Sequence, residues 1–323
     1  MSFVTVPPGL NCAAAFCQHG PFRIQCVSPT HRNRQEIAYV SAASLFIALA
    51  AALAAPEAQP PAPLTVMSYN VRYGTAEDGP DAWDLRKDLL VKTVAKHAPA
   101  ILGTQECLDF QAEYLATHLP GYAWIGLGRE EDGGGEMTAV IYQKSLLLPI
   151  ETGHFWLSET PDVPGSKSWD SSLPRIATWV KFYHRVSGRH FYYYNTHLDH
   201  RGAQARLESA RLIATRIPSL HPGEPVLLTG DFNASGGDSD PWRALIDGGL
   251  TDLWESAQER KGDANTWNGF KSPDPTGYRR IDWIFATPGV TALTCEIDAV
   301  QEGGHFPSDH MPVIARILLP AKR

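Results

Sequence analysis

Asp231 and Asn233 stand two residues apart at the end of the run Pro225-Val226-Leu227-Leu228-Thr229-Gly230-Asp231-Phe232-Asn233. Val226 to Thr229 are apolar or β-branched, with Pro225 ahead and Gly230 behind, which predicts a short strand buried on both faces. Side chains alternate along an extended segment, so Asp231 and Asn233 are expected on one side and Phe232 on the other. An acid and an amide at the carboxyl end of a core strand occupy the place where open α/β sheets keep ligands. Taken alone, the stretch reads slightly better as a solvated turn, since Asp, Asn, Gly and Ser favour turns for local reasons. Its weight comes from the rest of the chain.

The pattern recurs. Asn70 follows the alternating run Leu64 to Tyr69, Glu106 follows Ile101 to Gln105, and His197 ends the strand through Tyr194-Asn195-Thr196. Asp282 lies in a strand after Arg280-Ile281, and Asp309-His310 stands just before Met311-Pro312-Val313. A whole set of acids, amides and imidazoles at strand ends is hard to attribute to turn chemistry. The carboxylates and amides are hard oxygen ligands with no thiolate beside them, which suits Mg²⁺ or Mn²⁺ better than zinc. Hydrolysis of a phosphate ester needs a positioned water, a base for it, and positive charge at the phosphorus oxygens. Acid, amide, cation and imidazole supply each of these. No Gly-x-x-x-x-Gly-Lys-Ser/Thr loop points to a P-loop nucleotide site, and no Gly-x-Ser-x-Gly elbow points to a serine esterase. The absence of any Cys-x-x-Cys pair removes zinc knuckles and thioredoxin-type sites.

These residues need strands to carry them and helices to cover the strands. Trp83 to His97 has Leu85, Leu89, Leu90, Val94 and Ala95 at helical spacing, and Pro99 closes it. Further helices are expected at Phe110 to Leu119, Ala203 to Ile217 and Pro241 to Asp247. Strands are expected at 64–69, 101–105, 123–126, 138–142, 146–156 (one or two), 281–286, 292–300 and 313–319. The segments 176–182 and 190–195 read as antiparallel neighbours joined at Ser187-Gly188, after a long polar loop from Ser158 to Pro174. Strands dominate, helices are inserted in both halves, and no repeat of fixed period occurs. Two sheets packed together, each covered by helices, fit this order better than a doubly wound sheet.

With 323 residues and 43% hydrophobic content the chain can bury a large core. Its net charge is −7, and the basic excess of the first 55 residues leaves the remainder more acidic still. Such a balance disfavours generic binding to polyphosphate backbones, though it allows a locally basic cleft. Cys12, Cys17 and Cys26 precede residue 40; Cys107 and Cys295 are either one disulfide or two buried thiols. Residues 1–37 read as a disordered leader or an over-extended start of translation. Residues 38–55, with Arg32 and Arg34 upstream and Ala52-Leu53-Ala54-Ala55 at the end, have the order of a secretory signal. An uncleaved anchor is the second reading. Residues 56–63 form a Pro/Ala linker, and 64–323 the folded domain. The expectation is a secreted or periplasmic monomer without stable membrane association once the signal is removed.

Six segments together resemble a known family, the endonuclease/exonuclease/phosphatase superfamily or DNase I-like fold. They are Ser68-Tyr69-Asn70-Val71-Arg72, Thr104-Gln105-Glu106, Asn195-Thr196-His197-Leu198, Gly230-Asp231-Phe232-Asn233, Arg280-Ile281-Asp282-Trp283-Ile284-Phe285 and Ser308-Asp309-His310-Met311-Pro312-Val313. They arrive in the family's order and span residues 64 to 319. The resemblance implies an α/β fold, a four-layered α/β/β/α sandwich of two mixed sheets, with metal-dependent cutting of phosphate esters. By position Glu106 looks like the principal Mg²⁺ (or Mn²⁺) ligand, with Asn70 and Asp309 nearby. Asp231 resembles the residue that orients or deprotonates the attacking water, and Asn233 its partner on phosphate or metal. His310, paired with Asp282, resembles the imidazole that stabilises the pentacovalent phosphorus, and His197 a second phosphate-facing histidine.

Arg175 lies in Leu173-Pro174-Arg175-Ile176-Ala177-Thr178-Trp179, which looks like the version found in secreted bacterial members. A bidentate phosphate contact and a surface ion pair are its two readings. Asp199, His200 and Arg201, just past His197, are expected to shape the pocket. Trp267 stacks on a sugar or base or, by default, packs in the core, and Tyr278 and His305 flank it. The implied substrate is a small phosphorylated molecule, monoester or diester. A DNA or RNA nuclease stands second because the chain is acidic and lacks a Lys/Arg cluster, and a binding protein without chemistry stands third.

Overall fold

Leu64 and Val66 point one way, and Met67 and Tyr69 the other, along β1 (Leu64–Asn70), so one strand feeds two separate cores. This computed structural model describes residues 62–221, 223–271 and 280–321. The leader, the signal segment, most of the linker and Tyr278 lie outside the described residues. From β1 the chain enters α1 (Trp83–His97), which ends where Ala98 turns left-handed ahead of Pro99. Then come β2 (Ile101–Gln105), α2 (Asp109–His118), β3 (Tyr122–Ile125), β4 (Val140–Gln143) and β5 (Leu147–Trp156). The second half holds β6 (Ile176–His184), β7 (Arg189–His197), α3 (Ala203–Leu220), β8 (Val226–Asp231) and α4 (Asp240–Asp247). It finishes with β9 (Thr251–Asp252), α5 (Leu253–Ser256), β10 (Glu259–Lys261), β11 (Asp282–Ala286), β12 (Thr291–Ile297) and β13 (Val313–Leu318).

One sheet has the order β10-β12-β13-β1-β2-β4-β3 and the other β5-β6-β7-β8-β11-β9. The pairs β1–β2, β7–β8 and β10–β12 are parallel and the rest antiparallel, so both sheets are mixed. Leu64, Val66, Ile101, Val140 and Ile317 from the first sheet meet Val180, Phe182, Phe191, Leu227 and Ile284 from the second in a central core. The outer face of the first sheet packs Met67, Leu102 and Ile141 under Leu90 and Val94 of α1 and Leu115 of α2. The outer face of the second packs Tyr194, Leu228 and Phe285 under Ile213 and Ile217 of α3 and Leu245 of α4. The layers are therefore α/β/β/α, as the resemblance implies.

β6 and β7 pair antiparallel across the expected turn, where Gly188 takes a positive φ. The stretch 146–156 forms a single strand, β5, with a register irregularity between Pro149 and Glu151 that accommodates the proline on a sheet edge. Cys107 and Cys295 are free and buried in different layers, which excludes a bond between them. Among the described residues no helix is long and apolar enough to cross a membrane.

Candidate active site

Both sheets present their chemistry at one end because their central strands run parallel in pairs. In the second sheet His197 of β7 is in register with Asp231 of β8, and Asp231 is in register with Asp282 of β11. In the first sheet Asn70 of β1 is in register with Gln105 of β2, which puts Glu106 immediately past the strand end. β13 runs antiparallel to β1 and starts opposite Ser68, so Asp309 and His310, just before it, return to the same end. Six segments distant in sequence thus meet where the two sheets face each other.

Asp231 is the hub. Its Oδ2 accepts a hydrogen bond from Asn70 Nδ2 at 3.0 Å and lies 3.5 Å from His197 Nε2 and 3.7 Å from His310 Nε2. Asn70 Nδ2 also donates to Glu106 Oε1 at 3.0 Å, linking the acid at the end of β2 to the hub. His310 Nδ1 is 2.9 Å from Asp282 Oδ2, and Asn233 Nδ2 donates to His197 Nε2 at 3.0 Å. Burial, reinforced by the charge of Asp282, pushes the Asp231 carboxyl up to about 7. Burial opposes charge on His310, but Asp282 and Asp231 together outweigh it and hold the imidazolium well above the ordinary histidine range. His197 moves the other way. Burial, then Arg175 and Arg129, keep it neutral, which matches its acceptance of the Asn233 amide.

Arg72, Glu106 and Asn233 all have positive φ, at 56°, 58° and 49°. Non-glycine residues in this region are uncommon and cluster at functional sites, where surrounding structure holds them. Asn233 therefore reaches the cleft through a left-handed turn, with its N–H donating back to Asp231 Oδ1, and not by the simple strand alternation expected from sequence. Beneath the site a polar layer joins the sheets. Gln105 Nε2 donates to Asn195 Oδ1 at 2.7 Å, and Asn195 Nδ2 to the Thr104 carbonyl at 2.7 Å.

The site opens into a cleft of about 530 Å³ lined by Tyr73, Arg129, Glu136, Arg175, His200 and Trp267 and, of the residues above, by Arg72, Glu106, His197, Asp231, Asn233, Asp309 and His310. A larger hollow of about 740 Å³, near the end of α3, contains none of the sequence-predicted site residues. Arg175 is buried, with Nη2 2.9 Å from His200 Nδ1, and is no surface ion pair. Trp267 is 46% exposed on the cleft rim, and its backbone bridges His310, so the default expectation of a core tryptophan does not hold. His305 is exposed and absent from the cleft lining, and Arg201 contributes its N–H to Asp199 and is likewise absent from it.

Asn70 turns its amide N–H groups toward the acids, while its Oδ1 accepts the Arg72 N–H at 2.9 Å. Asp309 lines the cleft, and Arg72 Nη1 lies 3.9 Å from it and 4.0 Å from Glu106. Sequence reasoning missed Arg72, Tyr73, Arg129 and Glu136. Arg72 stands inside one of the six family segments, and the glycine cluster between Arg129 and Glu136 folds those two into a bidentate pair at 2.8 Å; these were the signals that could have found them.

Two groups of acidic and imidazole side chains here could hold a metal ion. Oxygen or imidazole nitrogen atoms of Glu106, His197 and Asp231 lie within 4.8 Å of one another, and those of Asp231, Asp282 and His310 do likewise.

A family model described as the endonuclease/exonuclease/phosphatase family matches residues 67–310. A crystal structure of a family member from Bacteroides thetaiotaomicron is 36% identical with TM-score 0.75, over 80% of this chain and 99% of that one. The mannosyl-6-phosphatase of the same species is 37% identical with TM-score 0.73, over 79% and 100%. TDP2 from D. rerio, complexed with single-strand DNA product, shares the fold at 21% identity and TM-score 0.62, over 79% and 99%. An uncharacterised protein of Acanthamoeba polyphaga mimivirus is 28% identical over 165 residues, 47% of this chain and only 59% of its relative's length. The chain belongs to the endonuclease/exonuclease/phosphatase family, whose members hydrolyse phosphate esters.

Proposed function

We propose that this chain hydrolyses a small phosphorylated molecule, with Mg²⁺ or Mn²⁺ held by Glu106 and the neighbouring acids, Asp309 among them. The observation that carries the reading is the convergence on Asp231 of Asn70, His197 and His310, with Glu106 one hydrogen bond away. Asp231, raised to about 7, is matched to taking a proton from water near neutral pH. The water oxygen then bonds to phosphorus as the ester P–O bond breaks in line, and the leaving oxygen acquires a proton from solvent. Protonated His310, held by Asp282, meets the charge that builds on the phosphorus oxygens. Asn233 and His197, joined by a hydrogen bond, orient the phosphate. When bound, the cation supplies further positive charge at a phosphate oxygen. Asn70 acts through its amide, fixing the two acids, rather than as a ligand.

A sugar phosphate is the favoured substrate class, supported by the 37% identity to a mannosyl-6-phosphatase and by the exposed Trp267 on the cleft rim. The apolar run at 38–55 further supports export, with the enzyme acting outside the cytoplasm. A substrate panel tests the reading. The purified chain is assayed on p-nitrophenyl phosphate, mannose 6-phosphate, bis-p-nitrophenyl phosphate, plasmid and single-stranded RNA, each with Mg²⁺, Mn²⁺ or EDTA. Metal-dependent turnover concentrated on the small esters is expected. Predominant plasmid nicking would make it a nuclease, and silence on every ester would leave a binding protein.

A further inference from the structure

Beside the donors already assigned to the phosphate, His310, His197 and Asn233, a further cation is buried. Arg175 is only 3% exposed, and its Nη1 and Nε have no hydrogen-bond partner among the described residues. Leaving such donors buried and unmade is expensive, and more so for a charged group. The nearest carboxylate, Asp199 Oδ2, stands 3.5 Å from Nε, and it is already committed to the Ser172 N–H, the Ser172 hydroxyl and the Leu173 N–H. Arg129, the other guanidinium at this wall, is satisfied by Glu136. Arg175 lines a recess of about 10 Å³ that it shares with Glu106 and His197 and that opens beside the main cleft. That volume admits roughly one water-sized atom.

We propose that Arg175 binds the third terminal oxygen of a phosphomonoester and thereby makes the enzyme select monoesters over diesters. This deepens the phosphate-ester reading and rests on it. A phosphomonoester has three terminal oxygens and about two negative charges near neutral pH, whereas a diester has two such oxygens and one charge. In a diester the third position carries an ester oxygen with its carbon substituent. The recess has no room for that substituent, and the ester oxygen is a weaker acceptor for Nη1 and Nε. Sites built to satisfy buried polar groups reject analogues that cannot do so. Asp199 is the positioning residue here. Its Oδ2 ties down residues 172 and 173, while Oδ1 accepts the Arg201 and Gly202 N–H groups at 2.9 and 2.7 Å. Both the approach to Arg175 and the turn bearing His200 are thus pinned to one carboxylate.

The test compares kcat/KM for p-nitrophenyl phosphate and bis-p-nitrophenyl phosphate, which share a leaving group, in the wild-type chain, Arg175→Gln and Arg175→Lys. Wild type should favour the monoester. Arg175→Gln should lose roughly 30–100-fold on the monoester, the value of a charge-assisted hydrogen bond, and less than threefold on the diester. Arg175→Lys should recover part of the monoester rate, and Asp199→Asn should shift the ratio in the direction of Arg175→Gln. Thermal melts identify any variant that fails to fold, in which case the Lys variant decides the matter alone through its ratio. Equal losses on both esters would overturn the monoester role while leaving phosphate-ester hydrolysis standing. No turnover of either ester by wild type would instead defeat the underlying reading.

Discussion

Two residues carry opposite electrostatic demands within 3.7 Å: Asp231 must give up its proton to act as a base, and His310 must keep one. Each has a measurable consequence. Replacing His310 with Ala should lower kcat by roughly 10²–10³, the loss seen for a single donor to a charge-building oxygen, with KM little changed. A loss under tenfold would remove His310 from the transition state. For Asp231 the sign follows from its raised carboxyl. The folded chain holds this proton more tightly than the unfolded one does. Stability is therefore lost as pH climbs past the ordinary aspartate range, and the loss is complete above about 7. Metal-free Asp231→Asn should accordingly gain in Tm over wild type between pH 4 and pH 7 and hold that gain above it. Parallel Tm curves would contradict the buried, charge-crowded setting of Asp231. In catalysis, kcat/KM should fall as pH drops through the same window, and added Mg²⁺ should move that limb to lower pH by favouring the charged form. These acids, amides and histidines were legible in the sequence because each stands at the end of an apolar run. Arg129 and Glu136 were not. They lie in a glycine-rich turn held by its own backbone bonds, by the Met137–Cys107 bridge and by Trp156, whose indole N–H donates to the Arg129 carbonyl at 2.7 Å.

At the scale of elements, the strands that carry the site were readable by alternation, and their neighbours were not. β9, α5 and β10 are two, four and three residues long, too short to show a period, and β10 is exposed throughout. They owe their form to what they dock on: β9 pairs with β11, and β10 with β12. Sequence gave no hint of how closely the two sheets approach under the site. Gly103 in β2 marks that point. A Cβ there would stand 2.5 Å from the Tyr193 hydroxyl and 2.7 Å from Asn195 Cγ, and against Thr229 as well. Gly103→Ala should therefore destabilise the fold by about 1–3 kcal/mol, as overpacking does, read as a lowered midpoint in denaturant with an unchanged slope. An unaltered midpoint would mean that the sheets can part there at no cost. Because Asn195 and Gln105 bridge the sheets at this level, the same change should also reduce activity without touching a residue of the cleft.

For the whole molecule, the four layers matter because they leave one end of each sheet free to meet the other. The parallel pairs β1–β2 and β7–β8 deliver Glu106 and Asp231 from different sheets, and the antiparallel β11 and β13 bring Asp282 and His310 back to them. No local stretch encodes that meeting; it was readable only as six motifs in a family's order. The most direct measurement of the central claim is a titration of the metal-stripped chain with Mg²⁺ or Mn²⁺ while phosphate release from a phosphomonoester is followed. Saturable activation, abolished by EDTA and lost in Glu106→Gln, is the predicted result. Hydrolysis that proceeds undiminished in EDTA, or that Glu106→Gln leaves intact, would contradict the account.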